Sequence, residues 1–231
     1  MNIIKKINRY LSKRSPEKYR LYLCKHGIEI GEGTVIFDPR TFDIDTTRPS
    51  LIKIGKNVFF NKYTTIMCHD IAAKSFRSLK GELVPCNGHV HIGDNVSFGR
   101  FVMVLKGVTI GDNCIIGANT VVTKNIPANS VAVGSPARVI CSLDEYYEKR
   151  TKAALQESFE YARSIKERFG RRPVPKDFFE SFVYFVDGDE VDKYPEIRIK
   201  YQLGPAYNQW VKNHKKLYAT FDDFLKAAGI D

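Results

Sequence analysis

From Ile92 onward an aliphatic or aromatic residue returns every six positions: Ile92, Phe98, Val104, Ile110, Ile116 and Val122. The residue after it is usually glycine (Gly93, Gly99, Gly111, Gly117), and the residue four places on is small or β-branched (Val96, Val102, Val108, Cys114, Thr120). A period of six matches neither the 3.6 of a helix nor the simple alternation of a half-exposed strand. A strict short repeat of this kind belongs to a solenoid, in which each unit buries on its neighbours what it cannot bury alone. The repeat therefore predicts a mainly β chain. Each hexapeptide forms one short strand and a turn, and three of them, 18 residues, close one triangular coil.

The repeat divides the chain into three blocks. Residues 1–27 read as a short N-terminal helix ending in a turn at Gly27, residues 28–140 as the solenoid, and residues 141–231 as a mainly helical C-terminal extension. Earlier repeat sets run Ile30, Ile36, Phe42 and then Ile54, Phe60, Ile66, which brings the expected total to about five coils. Between Ile66 and Ile92 lie 26 positions where six are due, so 20 residues are inserted, and a protruding loop is predicted over 70–88. Gly93 and Asn95, Gly111 and Asn113, and Gly117 and Asn119 are expected at corners, as the residue types that tolerate left-handed backbone angles. Helical spacing from Leu143 to Phe169 ends at Gly170, ahead of Pro173 and Pro175. The aromatic run Phe178 to Val186, and one or two short helices within Trp210 to Ala228, are expected to pack against the solenoid or a neighbouring subunit.

Charge narrows the function classes only slightly. The net charge of +10, much of it in Lys5, Lys6, Arg9, Lys13, Arg14 and the stretch from Arg163 to Arg172, suits phosphates, acidic sugars, nucleic acid or a membrane surface without choosing among them. Five scattered cysteines with no CxxC pair argue against a disulfide framework and a zinc knuckle. The N-terminus lacks the apolar stretch and cleavage site of a signal peptide, and no run of 18 apolar residues occurs. The expectation is a cytoplasmic protein, with peripheral membrane association through the basic N-terminus left open.

The string Val108-Thr-Ile-Gly-Asp-Asn-Cys-Ile-Ile-Gly-Ala-Asn-Thr-Val-Val-Thr-Lys-Asn-Ile-Pro127, followed by Val133-Gly-Ser-Pro-Ala-Arg-Val139, resembles the hexapeptide-repeat acyltransferases. The resemblance covers about half the chain and is nearest to the branch of galactoside, maltose, Nod-factor and polysaccharide O-acetyltransferases. It implies a left-handed parallel β-helix, a homotrimer, acetyl-CoA as acyl donor in a groove between two solenoids, and a sugar or glycan acceptor. Neither a metal nor a nucleic-acid partner is implied.

In that family a catalytic histidine stands where a coil gives way to a protruding loop, the position held here by His69 in Met67-Cys68-His69-Asp70. A sugar hydroxyl must lose its proton as it attacks a thioester, and a neutral imidazole, titrating near 6.5 when unperturbed, is the best-matched base. Asp70 is a candidate to orient that imidazole, although neighbours on an extended chain point to opposite faces and a turn at 69–71 would be required. Arg77, Glu82 and Asn87 are acceptor-contact candidates by their place in the loop.

For coenzyme A the resemblance carries over to Arg100 (pantetheine arm), Ala118 (a backbone contact), Thr123 and Lys124 (adenosine and phosphate end) and Arg138 (3′-phosphate). Basic side chains suit phosphate directly. Two positions depart from the family pattern. Cys141 stands where a second basic residue is expected, and Phe98 stands where the family commonly has a tryptophan.

These residues favour a CoA-dependent O-acetyltransferase acting on a sugar hydroxyl in surface polysaccharide biosynthesis. N-acetylation of a nucleotide-linked amino sugar and acetylation of a xenobiotic need the same base and thioester and stay open. Serine acetyltransferase is disfavoured, because its helical domain precedes its solenoid. A γ-type carbonic anhydrase would recruit His69, His89 and His91 to zinc, and a non-catalytic scaffold would need no base.

Overall fold

The computed structural model describes residues 3–231, with side chains from Ile7 onward; Lys5 and Lys6, counted above in the basic N-terminus, have side chains outside the described residues. Two compact units result, Met1–Tyr147 and Glu148–Asp231.

The first unit opens with two helices rather than the single one expected, α1 (Ile3–Ser12) and α2 (Pro16–Lys25). The break has a local cause. Ser15 is extended and its hydroxyl accepts from the amide of Lys18, while Pro16, with no N–H to leave unpaired, occupies the first turn. α2 buries Tyr19 and Leu23 at the start of the solenoid core.

The repeats then wind as coils of three strands. The first coil is β1 (Glu29–Ile30), β2 (Val35–Ile36) and β3 (Asp43–Ile44); the second is β4 (Ile52–Ile54), β5 (Phe59–Phe60) and β6 (Thr65–Ile66). α3 (Ala72–Lys80) intervenes, so the predicted loop contains a helix. The third coil is β7 (Val90–Ile92), β8 (Ser97–Phe98) and β9 (Met103–Val104), and the fourth is β10 (Val108–Ile110), β11 (Ile115–Ile116) and β12 (Val121–Val122). Corresponding strands pair in parallel to give three sheets: β1-β4-β7-β10, β2-β5-β8-β11 and β3-β6-β9-β12. Four coils are complete, and a fifth begins where Ile126 bridges Ile110 and β13 (Ser130–Val133) adds to β11. β14 (Arg138–Ser142) runs antiparallel to β13 and ends the stack.

The inward residues form ladders. Ile36, Phe60 and Phe98 lie in register, with the Phe60 and Phe98 rings 4.8 Å apart, as do Ile44, Ile66, Val104 and Val122, all buried. Phe42, expected as an inward repeat position, lies just before β3 and packs its ring 5.1 Å from Phe60. At the corners, asparagines and glycines do different work. Asn95, Asn113 and Asn119 adopt φ of 57, 56 and 56°, whereas Gly93, Gly111 and Gly117 are not in the left-handed region. Those glycines answer a close approach instead: a Cβ on Gly93 would lie 2.8 Å from the amide nitrogen of Asp112 in the next coil.

The second unit has its own core. α4 (Leu143–Phe169), on the predicted span, contributes Ala162 and Ile165 to it, and α5 (Ile199–Leu203), α6 (Tyr207–Asn213) and α7 (Phe221–Ala227) follow. The aromatic run was expected to lie on the solenoid or a neighbour. It packs within this unit, where Phe178, Phe182 and Phe185 are buried with Phe224 and Leu225. Among the described residues no helix is long and apolar enough to cross a membrane.

Candidate active site

The candidate site lies just past the C-terminal end of β6, an inner strand of the third sheet. After β6 the chain passes through Met67, Cys68 and His69 and leaves the coil. It returns at Asn87, whose backbone bridges His69 in antiparallel fashion. Amide-to-carbonyl bonds from Asp70 to Cys86 (3.3 Å) and from Gly88 to Cys68 (3.0 Å) close the base of the insertion. His69 is therefore fixed at the root of the inserted segment, its side chain 39% exposed.

The carboxylate that holds its imidazole is Asp45, not Asp70. Asp45 follows β3 one coil earlier, and His69 Nδ1 donates to its Oδ2. Asp45 is pinned from the other side by Thr47, whose amide and hydroxyl donate to Oδ1 at 2.8 and 2.6 Å. The Cys68 thiol donates to Oδ2 at 2.9 Å. Burial works to raise the Asp45 pKa, but the hydrogen bonds from Cys68, Thr47 and His69 outweigh it and hold the group ionised, well below the ordinary carboxylate range. An ionised carboxylate can only accept, so the neutral ring carries its proton on Nδ1 and a lone pair on Nε2. No described residue hydrogen-bonds Nε2. Burial, reinforced by the Asp45 charge, pushes the Cys68 thiol up to about 12, which keeps it protonated.

Asp70 has a different task. Its Oδ2 accepts from the Cys86 thiol at 3.0 Å and pairs with Lys106 at 3.3 Å, while Oδ1 accepts from the Ala72 amide at the start of α3. The Cys86 bond, the Ala72 amide and Lys106 hold it near 2. It ties the insertion to the third coil and does not reach the imidazole. The turn needed to bring it round is absent, since His69 sits in an extended bridge.

The coenzyme candidates fall on the two corners that bound the third sheet. Arg100 and Ala118 stack at one, with the Asn119 amide donating to the Arg100 carbonyl at 2.9 Å. Thr123 and Lys124 follow β12 at the other corner. In register they lie two coils beyond Met67, the start of the segment that carries His69. At about 4.8 Å per strand that is roughly 10 Å along the stack. The Ala137 amide donates to the Val121 carbonyl at 2.9 Å, which brings Arg138 to the same end. The side chains of Arg100, Thr123, Lys124 and Arg138 are exposed.

In the insertion, Arg77 lies on α3 and Glu82 follows Gly81, both exposed; only Asn87 is brought next to His69. His89 and His91, with rings 4.5 Å apart, share the outer side of the first sheet. Burial and the neighbouring His89 lower the His91 pKa. Among the described residues, His69 groups with Asp45 and Cys68, not with the other two histidines, as a γ-carbonic-anhydrase site would require.

Residues 89–124 match the family described as bacterial transferase hexapeptide (six repeats). The repeat region is that of the hexapeptide-repeat transferases. It is 49% identical over 115 residues to galactoside O-acetyltransferase of Escherichia coli (strain K12), 48% of this chain and 56% of that one. A maltose O-acetyltransferase structure from Clostridium difficile 630 is 31% identical, covering 60% of this chain and 83% of its own, at a TM-score of 0.42. A galactoside acetyltransferase solved with coenzyme A is 27% identical, covering 60% and 78%, also at 0.42. The chain spans 29% to 59% of the length of the curated relatives it matches.

Asp45, Cys68 and Thr47 surround His69 in the structure and were not singled out from the sequence. The signal was available in the repeat register. Placing Ile44 on Ile66 sets Asp45 beneath Met67, two residues from His69.

Proposed function

We propose that the protein is an acetyl-CoA-dependent O-acetyltransferase acting on a sugar hydroxyl, with His69 as general base and Asp45 as its positioning residue. One observation carries the reading: a half-exposed imidazole whose Nδ1 is held by a buried, ionised carboxylate, leaving Nε2 as the only basic lone pair. That arrangement takes a proton from a hydroxyl as it attacks the thioester carbonyl, and no enzyme-bound acyl intermediate is required. Asp45 stabilises the imidazolium as it forms.

Acetyl-CoA lies along the third sheet in this reading. Lys124 and Arg138 meet the phosphates, Arg100 and Ala118 line the pantetheine arm, and Thr123 meets the adenosine end. Asn87 is the acceptor contact nearest the base, with Arg77 and Glu82 further out on the insertion. A homotrimer supplies the second wall of the groove, and a surface polysaccharide is the acceptor class. The named relatives, which act on galactoside and maltose, support a sugar hydroxyl over an amine.

His69→Ala should lower acetyl transfer by about 10²–10⁴-fold while acetyl-CoA still raises the melting temperature. Asp45→Asn should lower kcat by roughly 10–100-fold with KM for acetyl-CoA little changed, since it acts through the imidazole. An unchanged rate for His69→Ala sinks the assignment, and a screen over glycans, nucleotide-linked amino sugars and antibiotics identifies the acceptor.

A further inference from the structure

The group around His69 has donors of three kinds. Asp45 offers a carboxylate oxygen, Cys68 a sulfur and His69 a ring nitrogen, all within 4.8 Å of one another. Nitrogen, thiolate and carboxylate together form a donor set that zinc accepts, with bonds of about 2.0–2.3 Å and donors about 3.5 Å apart in a tetrahedron.

The three lie inside that spacing, since Cys68 Sγ is 2.9 Å from Asp45 Oδ2 and the imidazole Nδ1 is hydrogen-bonded to the same oxygen. A cation that replaces the shared protons would part them by about an ångström or less. They are also pre-oriented from outside the group. Thr47 fixes the other carboxylate oxygen through its amide and hydroxyl, and the base of the insertion fixes the backbone of both Cys68 and His69. Cys68 is fully buried and the Asp45 side chain is 6% exposed, so two ligands stand in place behind an imidazole that faces solvent. Water would complete the fourth position from the imidazole side.

We infer that Asp45, Cys68 and His69 capture a borderline-soft divalent cation, Zn²⁺ foremost, and that capture switches the site off. Binding sends the Cys68 thiol proton to solvent, while the imidazole gives up its Nδ1 proton and takes one on Nε2 so that Nδ1 can ligate, and one proton is released in all. Nε2 then carries the proton and has no lone pair to offer a hydroxyl, so the base is lost. The inhibitory half rests on His69 acting as the base; the binding half does not.

The test is a cobalt titration of the full-length protein without coenzyme A, followed by zinc competition. Co²⁺ should bind one per chain and give a thiolate-to-cobalt charge-transfer band with four-coordinate d–d bands, and Zn²⁺ should bleach both. Cys68→Ser should lose the charge-transfer band, and Cys86→Ser, whose thiol serves Asp70, should keep it. X-ray absorption of the zinc-loaded native chain, which needs no variant to fold, should show one sulfur scatterer among nitrogen and oxygen.

Zn²⁺ should inhibit acetyl transfer reversibly by EDTA, and Cys68→Ser should raise the inhibitory zinc concentration by roughly tenfold or more. No sulfur scatterer, or a charge-transfer band that survives Cys68→Ser, overturns the binding site. Cobalt binding as described with zinc leaving turnover untouched, or raising it, overturns the switch. If the chain shows no acetyl transfer at all, the function proposal fails while the spectroscopic arms still decide the site.

Discussion

The two units of this chain bury apolar surface in opposite ways. In Met1–Tyr147 each inward residue stacks on the equivalent residue of the coil before and the coil after, as Phe60 does between Ile36 and Phe98. In Glu148–Asp231 a single residue gathers many rings. Phe224 packs against Phe159, Phe178, Tyr184, Phe185, Tyr218 and Phe221 at 5.4 to 6.4 Å. A ladder distributes stability over nearest neighbours, while a cluster concentrates it at a hub. The ladder can also accept an insertion between coils without losing register, and that is where the candidate site sits.

This contrast predicts a ranked series. Phe224→Ala should be the most damaging, lowering the stability of residues 148–231 by about 4–5 kcal/mol, at the upper end for aromatic truncation. Phe60→Ala should cost the repeat unit about 3–4 kcal/mol, because the coils on either side can close part of the gap. Hydrogen exchange resolved by unit measures both; equal losses would erase the distinction between hub and ladder.

Next in size is Gly99→Ala. Its Cβ would lie 2.5 Å from the Ala118 amide nitrogen, so two coils must part, at about 1–3 kcal/mol. A thermal melt unchanged from native would show that the stacking there is loose.

The smallest effect is electrostatic. In the second unit Glu190 is held near 2 by Lys193 and Lys216, at 2.8 and 2.5 Å. Because its folded pKa lies below its ordinary 4.5, its contribution is present above pH 4.5 and is lost as pH falls toward 2. Glu190→Gln should remove about 0.5–1 kcal/mol at pH 7 and flatten the acid limb of the second unit's melting curve over that range. An acid limb identical in the variant would assign the pH dependence elsewhere.

Legibility in the sequence followed the same division. The six-residue period exposed the strand positions from Ile54 to Val122, because each inward residue there obeys one local rule; in the first coil it pointed to Phe42, whereas the paired inward residue is Ile44. The span of α4 was readable from helical spacing. The aromatic core of the second unit was not readable as a core, since its members, from Ala162 to Ile230, follow no period and meet only in three dimensions. The N-terminal break at Ser15-Pro16 was available as a capping signal and went unused.

At the site, His69 was legible because a register break is visible in one dimension. Its partner was not. Asp70 is adjacent in sequence, yet alternation along the extended chain sends it to Cys86 and Lys106.

The sequence by itself determined a stack of short parallel strands, the single place where it is interrupted, and a histidine at that place. Only the tertiary structure decided that Asp45, 24 residues earlier, holds the imidazole, with Cys68 on the same carboxylate oxygen. The physical reason is the coil itself. It brings residues one turn apart into hydrogen-bonding contact, so the chemistry of the site is set by what lies beneath a residue and not by what precedes it.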